Sequence, residues 1–243
     1  MESRSDSTFL LGGELEVGRL GFGAMRIVHD RAEGVRVLRR AVELGVTLID
    51  TADIYGAGVS EELIAAALHP YPENLVIATK GGLGWGLQDR IRDARPEHLR
   101  AAVDDSLRRL RLERIDLYQL HRHDPEVPLE ESMGALADLR RGGKIRLVGV
   151  SNMSLDQLRR ARSVTDVATV QNEYNRGLLI ADDVLDECTA AGIGFMPWRP
   201  LGAGLRGAVH ELRWLLDRSP VMLPIPGTSS VAHLEENMRA LAG

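Results

Sequence analysis

Four polar side chains that could move a proton stand at or just beyond the ends of short apolar segments. Asp50 and Tyr55 follow one such segment, Lys80 ends the next, and His121 ends the one after that. A nearby ammonium favours the phenolate, which lowers the pKa of a tyrosine so that it can release a proton near neutral pH. Asp50 would hold Lys80 charged and in place, and His121 could orient a carbonyl oxygen. The set suits proton delivery to a developing alkoxide.

These residues need elements that bring them together. Residues 46–49 are apolar and β-branched and follow a helical pattern closed by Gly45, which indicates a buried parallel strand. The predicted strands are residues 20–25, 46–49, 75–80, 115–121, 145–151, 167–171, 193–198 and 221–225. The predicted helices are residues 32–44, 60–68, 96–110, 129–140, 155–161, 181–191, 209–218 and 230–241. Strict strand–helix alternation predicts an α/β fold, a (β/α)8 TIM barrel with its helices outside.

The remaining segments refine this prediction. Residues 9–17 hold two strand-like runs around Gly12-Gly13, typical of a β-hairpin that would cap the bottom of the barrel. No linker divides the chain, so we expect residues 1–243 to form a single domain. A doubly wound open sheet is the alternative, but it would need a complete glycine-rich fingerprint after the first strand. Residues 21–23 supply only half of that fingerprint.

Composition excludes several classes of function. A net charge of −5 and a pI near 5.8 argue against a nucleic-acid partner. The sequence has no apolar stretch of membrane-spanning length, and its polar start does not look like a secretory signal, so we expect no membrane contact and a cytoplasmic protein. Cys188 is the single cysteine, which excludes an internal disulfide and a cysteine metal cluster. We expect a monomer, because no long apolar face is left over.

In a barrel, the carboxyl ends of all strands face the same side. One strand-end lysine or histidine is usually structural or solvated, and Asp50 with Tyr55 alone could be a helix cap and a surface aromatic. Four such residues after successive strands favour a functional site. The later strand ends carry further polar or flat side chains, namely Ser151, Asn152, Gln171, Trp198, Thr228 and Ser229.

The order and spacing of these motifs resemble the aldo-keto reductase family. The similarity covers nearly the whole chain, in residues 21–25, 49–56, 78–81, 116–121, 149–152, 171–174 and 224–229. The resemblance implies nicotinamide-dependent reduction of a small-molecule aldehyde or ketone. It implies that Tyr55 is the general acid, that Lys80 tunes Tyr55 and pairs with Asp50, and that His121 hydrogen-bonds the substrate carbonyl.

The resemblance also implies a cofactor site. Ser151, Asn152 and Gln171 would hold the nicotinamide carboxamide, and Trp198 would stack on the ring where the family usually has a tyrosine. Segments 201–203 and 227–229 would lie beside phosphates, the latter offering backbone N–H groups, and Glu236 and Asn237 would reach the adenine. The full set of implied cofactor residues is Gly23, Met25, Asp50, Ser151, Asn152, Gln171, Trp198, Leu201, Gly202, Gly227, Thr228, Ser229, His233, Glu236 and Asn237.

The chain departs from the family pattern in three places. The region that would meet the 2′-phosphate offers serine, threonine and His233 rather than lysine and arginine, so NADPH is favoured by resemblance but NADH is possible. Residues 201–212 are fewer than relatives usually carry there, and the chain stops at Gly243 without the usual carboxyl-terminal extension. An open pocket and a weakly held cofactor are the expected consequences.

Two other classes of function compete with this interpretation. His121 and His123 have ligand-like spacing for a metal-dependent hydrolase, and Asp50 and Glu173 could join them. The ends of the fifth and eighth strands offer poor ligands, so we expect no metal site. The other alternative is a non-redox or cofactor-sensing protein on the same barrel, but a pure binder has no need of all four catalytic candidates.

Overall fold

The computed structural model describes residues 7–85, 90–202 and 207–242. Its strands are β1 (Thr8–Leu11), β2 (Leu15–Gly18), β3 (Phe22–Gly23), β4 (Leu48–Asp50), β5 (Val76–Gly81), β6 (Leu83–Trp85), β7 (Arg90–Arg92), β8 (Ile115–Leu120), β9 (Ile145–Ser151), β10 (Thr169–Gln171) and β11 (Gly194–Phe195). Its α-helices are α1 (Arg31–Glu43), α2 (Val59–Leu68), α3 (Pro96–Leu110), α4 (Leu129–Arg141), α5 (Leu155–Val164), α6 (Asp182–Ala191), α7 (Ala208–Arg218) and α8 (Val231–Met238).

Seven of these strands form one parallel sheet, in the order β11-β10-β9-β8-β5-β4-β3. Each neighbouring pair that follows in the chain is joined through at least one helix, as a parallel sheet requires. Because all seven strands run the same way, their carboxyl ends lie on one side. Asp50, Lys80 and Gln119 therefore come to one end of neighbouring strands.

The segment 221–227 closes the curled sheet between β11 and β3. The Gly21 amide donates to the Pro224 carbonyl (2.9 Å), and Phe195 exchanges two backbone hydrogen bonds with the other edge of the segment. The sequence predicted a regular eighth strand here, but the segment makes only isolated bridges. Pro224 and Pro226 lack an N–H donor, so a continuous ladder cannot form.

Three other segments differ from their predicted form. The seventh strand, expected over residues 193–198, is limited to Gly194–Phe195, and Pro197 after it lacks an N–H donor. The first strand is only two residues long, because a 3-10 helix over Ala24–His29 begins where residues 24–25 were expected to continue it. Residues 81–93, which lie between a predicted strand and a predicted helix and were assigned to neither, contain the antiparallel pair β6–β7. The helices match their predicted positions within a few residues at either end.

Apolar side chains fill the barrel interior and the layer between strands and helices. Leu11 of the β1–β2 hairpin is fully buried in a cluster with Leu48, Val76, Leu117 and Leu147 of the barrel strands. The hairpin strands pair in antiparallel register from Thr8 opposite Gly18. No helix in the described part of the chain combines the length and apolarity that a membrane crossing would need.

Candidate active site

Lys80 and Asp50 form a buried ion pair at the carboxyl end of β4 and β5. The Lys80 Nζ donates to Asp50 Oδ2 (2.7 Å) and to the Thr51 carbonyl oxygen (2.7 Å), and both side chains are almost fully buried. Burial alone would lower the pKa of Lys80, but the charge of Asp50 and the interactions with Asp50 and Tyr55 outweigh it, and the pKa is raised. The ammonium therefore stays charged.

Two glutamines complete the environment of the Asp50 carboxylate. Gln119 Nε2 (3.1 Å) and Gln171 Nε2 (2.9 Å) both donate to Asp50 Oδ1. Gln119, which is fully buried, was not among the predicted site residues; its place two residues before His121 at the end of a predicted strand was a usable signal. Gln171 was predicted to hold the cofactor carboxamide. One N–H of its side-chain amide is used by Asp50, which leaves the second N–H and the amide oxygen for a ligand.

Tyr55 and His121 stand above this pair and face the cavity. Tyr55 lies in the turn after β4, and the Lys80 Nζ is 5.3 Å from the centroid of its ring. The His121 ring meets the Tyr55 ring edge-on, with centroids 5.9 Å apart. The His121 amide donates to the Gly81 carbonyl (2.8 Å), which ties its position to β5. The structure thus brings all four predicted catalytic residues to one place.

A chain of hydrogen bonds joins four of the predicted cofactor residues. The Trp198 indole N–H donates to Asn152 Oδ1 (3.1 Å), and Asn152 Nδ2 donates to Ser151 Oγ (2.9 Å) and to the His121 carbonyl (3.2 Å). Ser151 Oγ donates in turn to the Gln171 carbonyl (2.9 Å). Asn152 has a φ of 57°, a left-handed conformation that asparagine tolerates better than most residues. These contacts fix the orientation of the polar groups that would meet a carboxamide.

One cavity of about 660 Å³ runs across the carboxyl ends of the strands. Its size falls in the usual range for small-molecule sites. Ten of the fifteen predicted cofactor residues line it, namely Gly23, Met25, Asp50, Ser151, Asn152, Gln171, Trp198, Leu201, Gly202 and Gly227.

The other five predicted cofactor residues lie outside the cavity, in or just before α8. Thr228 Oγ1 accepts from the Ser230 amide (3.0 Å), and Ser230 Oγ caps the helix by accepting from the His233 amide (3.5 Å). Ser229 and His233 are exposed. Asn237 is buried and Glu236, beside it, is half-buried, so Glu236 offers the more accessible side chain of this pair.

A second buried polar cluster lies behind Lys80, and the sequence analysis did not predict it. Glu61 accepts from Thr79 Oγ1 (2.6 Å) and from Arg109 Nε (2.6 Å). Asp53 adjoins this cluster, and its buried Oδ1 has no hydrogen-bond partner among the described residues. Burial raises the pKa of Asp53 to about 7, and the negative charge of Glu61 adds to the shift, which Arg109 partly offsets.

The metal-site alternative finds little support in the described residues. They contain no group of three or more His, Cys, Asp or Glu side chains that could hold an ion. Asp50 is engaged with Lys80 and the two glutamines, and Glu173 accepts from Arg199 (3.0 Å). Part of the short segment 201–212, namely residues 203–206, and the last residue, Gly243, lie outside the described residues.

The residues present fit a nicotinamide cofactor. The cavity offers a flat indole, a set of oriented amides and an edge formed by Gly23 and Gly227. A Cβ on Gly227 would lie only 2.8 Å from the Gly23 carbonyl oxygen, so glycine is needed for this segment to pack against β3. Fold and site together define an α/β barrel in which Asp50, Tyr55, Lys80 and His121 cluster at a cavity of small-molecule size.

Comparison with known proteins identifies the family. The Aldo/keto reductase family matches the chain over residues 19–211. Pyridoxine 4-dehydrogenase of Escherichia coli is 39% identical over 267 aligned positions, covering 97% of this chain and 93% of that protein. The chain therefore belongs to the aldo-keto reductase family. It is an NAD(P)H-dependent oxidoreductase.

Solved structures agree in fold. A glycerol dehydrogenase from Gluconobacter oxydans, AKR11B4, is 29% identical, with a TM-score of 0.90, covering 98% of this chain and 90% of that one. An aldo-keto reductase from Klebsiella pneumoniae in complex with NADPH is 28% identical, with a TM-score of 0.83 and the same coverage of 98% and 90%. The 267 positions aligned with the E. coli relative exceed the 243 residues of this chain, so the relative carries residues that this chain lacks within the aligned region.

Proposed function

We propose that this chain reduces a small aldehyde or ketone to an alcohol, with Tyr55 as the general acid. The observation that carries the proposal is the placement of Tyr55 between the charged Lys80 and the His121 ring, at the floor of the cavity. When bound, the nicotinamide cofactor supplies the hydride. The protein residues then have to position the carbonyl and provide one proton at its oxygen.

Each of the four residues has a distinct part in that task. Tyr55 gives its proton to the carbonyl oxygen, and the Lys80 ammonium favours the phenolate that this leaves behind. His121 lies where it can hydrogen-bond the same oxygen and orient it. Asp50 holds Lys80 in its charged form, because a buried ammonium without an anion would be strongly disfavoured.

We propose NADPH as the cofactor, with NADH as the alternative. The Klebsiella relative was solved with NADPH, which supports the first choice. Met25, Trp198 and Gly202 would lie against the cofactor within the cavity. The segment 227–233 would bind the adenosine phosphate through the first amides of α8, while Ser229 would contact a 2′-phosphate. Glu236 and Asn237 would contact the adenine.

We also propose that the chain is one domain and that the β1–β2 hairpin closes the amino-terminal end of the barrel. The burial of Leu11 among Leu48, Val76, Leu117 and Leu147 supports this role, because a gap there would expose the barrel interior to water.

The test of function begins with cofactor binding. Titration with NADPH and with NADH, followed by tryptophan fluorescence, would give the two dissociation constants. Carbonyl reduction would then be followed by loss of cofactor absorbance over a panel of aldehydes and ketones. Pyridoxine and glycerol, which appear in the names of two relatives, would be offered in the direction of alcohol oxidation.

The decisive variant is Tyr55→Phe, which keeps the ring and removes the proton donor. We expect kcat to fall by about 10²–10⁴-fold, with the dissociation constant for NADPH unchanged. Tyr71→Phe is a matched control, since that hydroxyl donates to the Leu110 carbonyl far from the cavity. Full activity in Tyr55→Phe would refute the role of general acid, and cofactor binding without any carbonyl reduction would favour a sensing protein.

A further inference from the structure

Four arginines line the cavity that holds the candidate active site. They are Arg26, Arg92, Arg122 and Arg199. Asp50 is the one carboxylate in the described lining, and it is paired with Lys80. The chain as a whole carries a net charge of −5, so the positive charge at this opening runs against the overall balance. A cleft lined by charge of one sign attracts ligands of the opposite sign.

Three of the four guanidinium groups make no ion pair within the described residues. Arg199 donates to Glu173 (3.0 Å), so its charge already has a partner. Arg26, Arg92 and Arg122 are exposed to solvent and form no such bond with any carboxylate in the described part of the chain. We call these three residues the arginine rim. Unlike most of the surface arginines, they are available to a ligand.

The rim stands on the substrate side of the cavity. Arg26 follows β3, Arg92 ends β7 beyond β5, and Arg122 comes directly after β8 and His121. These strand ends flank Tyr55, which follows β4. The amides and the indole that fit the nicotinamide instead follow β9, β10 and β11. The cavity thus has the three unpaired guanidinium groups on the side of Tyr55, whereas Arg199, on the side of the indole, is paired with Glu173.

We propose that the arginine rim selects carbonyl substrates that carry an anionic group, a carboxylate or a phosphate, at the end remote from the carbonyl. This inference rests on the proposed function and names the substrate class for the same site. The carbonyl would meet Tyr55 and His121 on the floor of the cavity while the anion meets the guanidinium groups at its mouth. Guanidinium is well suited to this because its donor fork matches both anions.

The test compares matched pairs of substrates. One pair is 4-carboxybenzaldehyde and its neutral amide, and the other is glyceraldehyde 3-phosphate and glyceraldehyde. For the preferred anion, kcat/KM should exceed that of the neutral partner on the order of tenfold at low ionic strength, because exposed ion pairs contribute about two- to fivefold each. The ratio should shrink with added salt, since the Debye length falls from about 30 Å at 0.01 M to about 8 Å at 0.15 M. The two pairs tell carboxylate from phosphate.

Variants assign the preference to the rim. Arg26→Gln, Arg92→Gln and Arg122→Gln should each lower the ratio of anionic to neutral kcat/KM about two- to fivefold, and the triple variant should abolish it. The ratio cancels any general loss of activity. Arg141→Gln makes the same change of net charge on exposed α4, outside the cavity, and should keep the ratio. Equal kcat/KM within both pairs, or a preference that survives in the triple variant, would overturn the proposal.

Two further measurements separate this inference from its alternatives. The dissociation constant for NADPH shows whether the arginine rim binds the cofactor instead. That is the conclusion if the variants raise this constant and leave the ratio of anionic to neutral kcat/KM unchanged. Calorimetric titration with 4-(hydroxymethyl)benzoate and its amide needs no turnover. Rim-dependent binding of the carboxylate without reduction would support the anion site while refuting the proposed reaction. Reduction of the neutral amide of 4-carboxybenzaldehyde, with no preference for the anion, would support the proposed reaction and refute the anion site.

Discussion

Replacing Asp53 by asparagine should stabilise the folded protein at alkaline pH and change its stability little near pH 4. The Asp53 carboxyl is largely buried, its Oδ1 has no hydrogen-bond partner among the described residues, and burial raises its pKa from 3.8 to about 7. The unfolded chain releases this proton near pH 3.8. Between these two pH values the folded state holds a proton that the unfolded state has lost. The contribution of Asp53 to the free energy of unfolding therefore falls as pH rises through this window.

The size of the effect follows from the two pKa values. Their difference of about three pH units corresponds to about 4 kcal/mol, reached in full above pH 7. Asparagine keeps the shape of the side chain and does not titrate. Its amide can donate toward Glu61, which carries the second largest part of the shift. We expect Asp53→Asn to raise the free energy of unfolding by about 2–4 kcal/mol at pH 8.

Urea unfolding of the variant and of the unmodified chain, at about pH 4.5 and about pH 8, gives the difference in their free energies of unfolding at each pH. The two proteins share every other titrating group, so a change of this difference with pH reports on Asp53. Asp186→Asn serves as a control, because that carboxyl lies exposed on α6. The reasoning is refuted if Asp53→Asn changes stability equally at both pH values, or if the variant is the less stable protein at pH 8. Either result would mean that Asp53 is ionised in the folded protein and held by Arg109.

Three further predictions concern the site and the barrel. Lys80→Met removes the ammonium beside Tyr55, so kcat should fall by about 10²–10⁴-fold. Steady-state kinetics measure kcat, and circular dichroism checks that the variant folds. An unchanged kcat would refute the role of Lys80. Gly149→Ala would place a Cβ 2.2 Å from a threonine hydroxyl and should lower the free energy of unfolding by about 1–3 kcal/mol. In contrast, the Cβ of Gly134→Ala in α4 meets open space, and this change should raise the free energy of unfolding by up to about 1 kcal/mol. Urea unfolding measures both variants, and a change of the same sign in the two would contradict the packing argument. Trp198→Phe removes the indole hydrogen bond that orients Asn152 and should weaken NADPH binding about two- to tenfold by fluorescence titration; an equal dissociation constant would show that the bond has no part in binding.

The order of strands and helices could be predicted from the sequence because each element carries its own period of apolar residues. Proline at position 96 and the cap residue Ser230 mark helix starts, and the structure begins α3 and α8 there. The irregular closing segment could also have been predicted, since Pro224 and Pro226 are visible in the sequence and exclude a ladder. The hairpin in residues 81–93 could not, because each of its strands has only three residues, too few to establish a period.

The strand pattern of the chain was enough to predict that Asp50, Tyr55, Lys80 and His121 meet, because parallel strands in a barrel must bring their carboxyl ends to one side. The side chains that surround these four residues became visible only in the folded protein. Gln119 and Gln171 reach the same carboxylate from positions 69 and 121 residues beyond Asp50. The cluster behind Lys80 and the arginine rim likewise join residues from separate strand–helix units. The local sequence pattern shows whether a segment is a strand or a helix. Contacts between distant segments depend instead on strand register and packing, which are set only when the barrel closes.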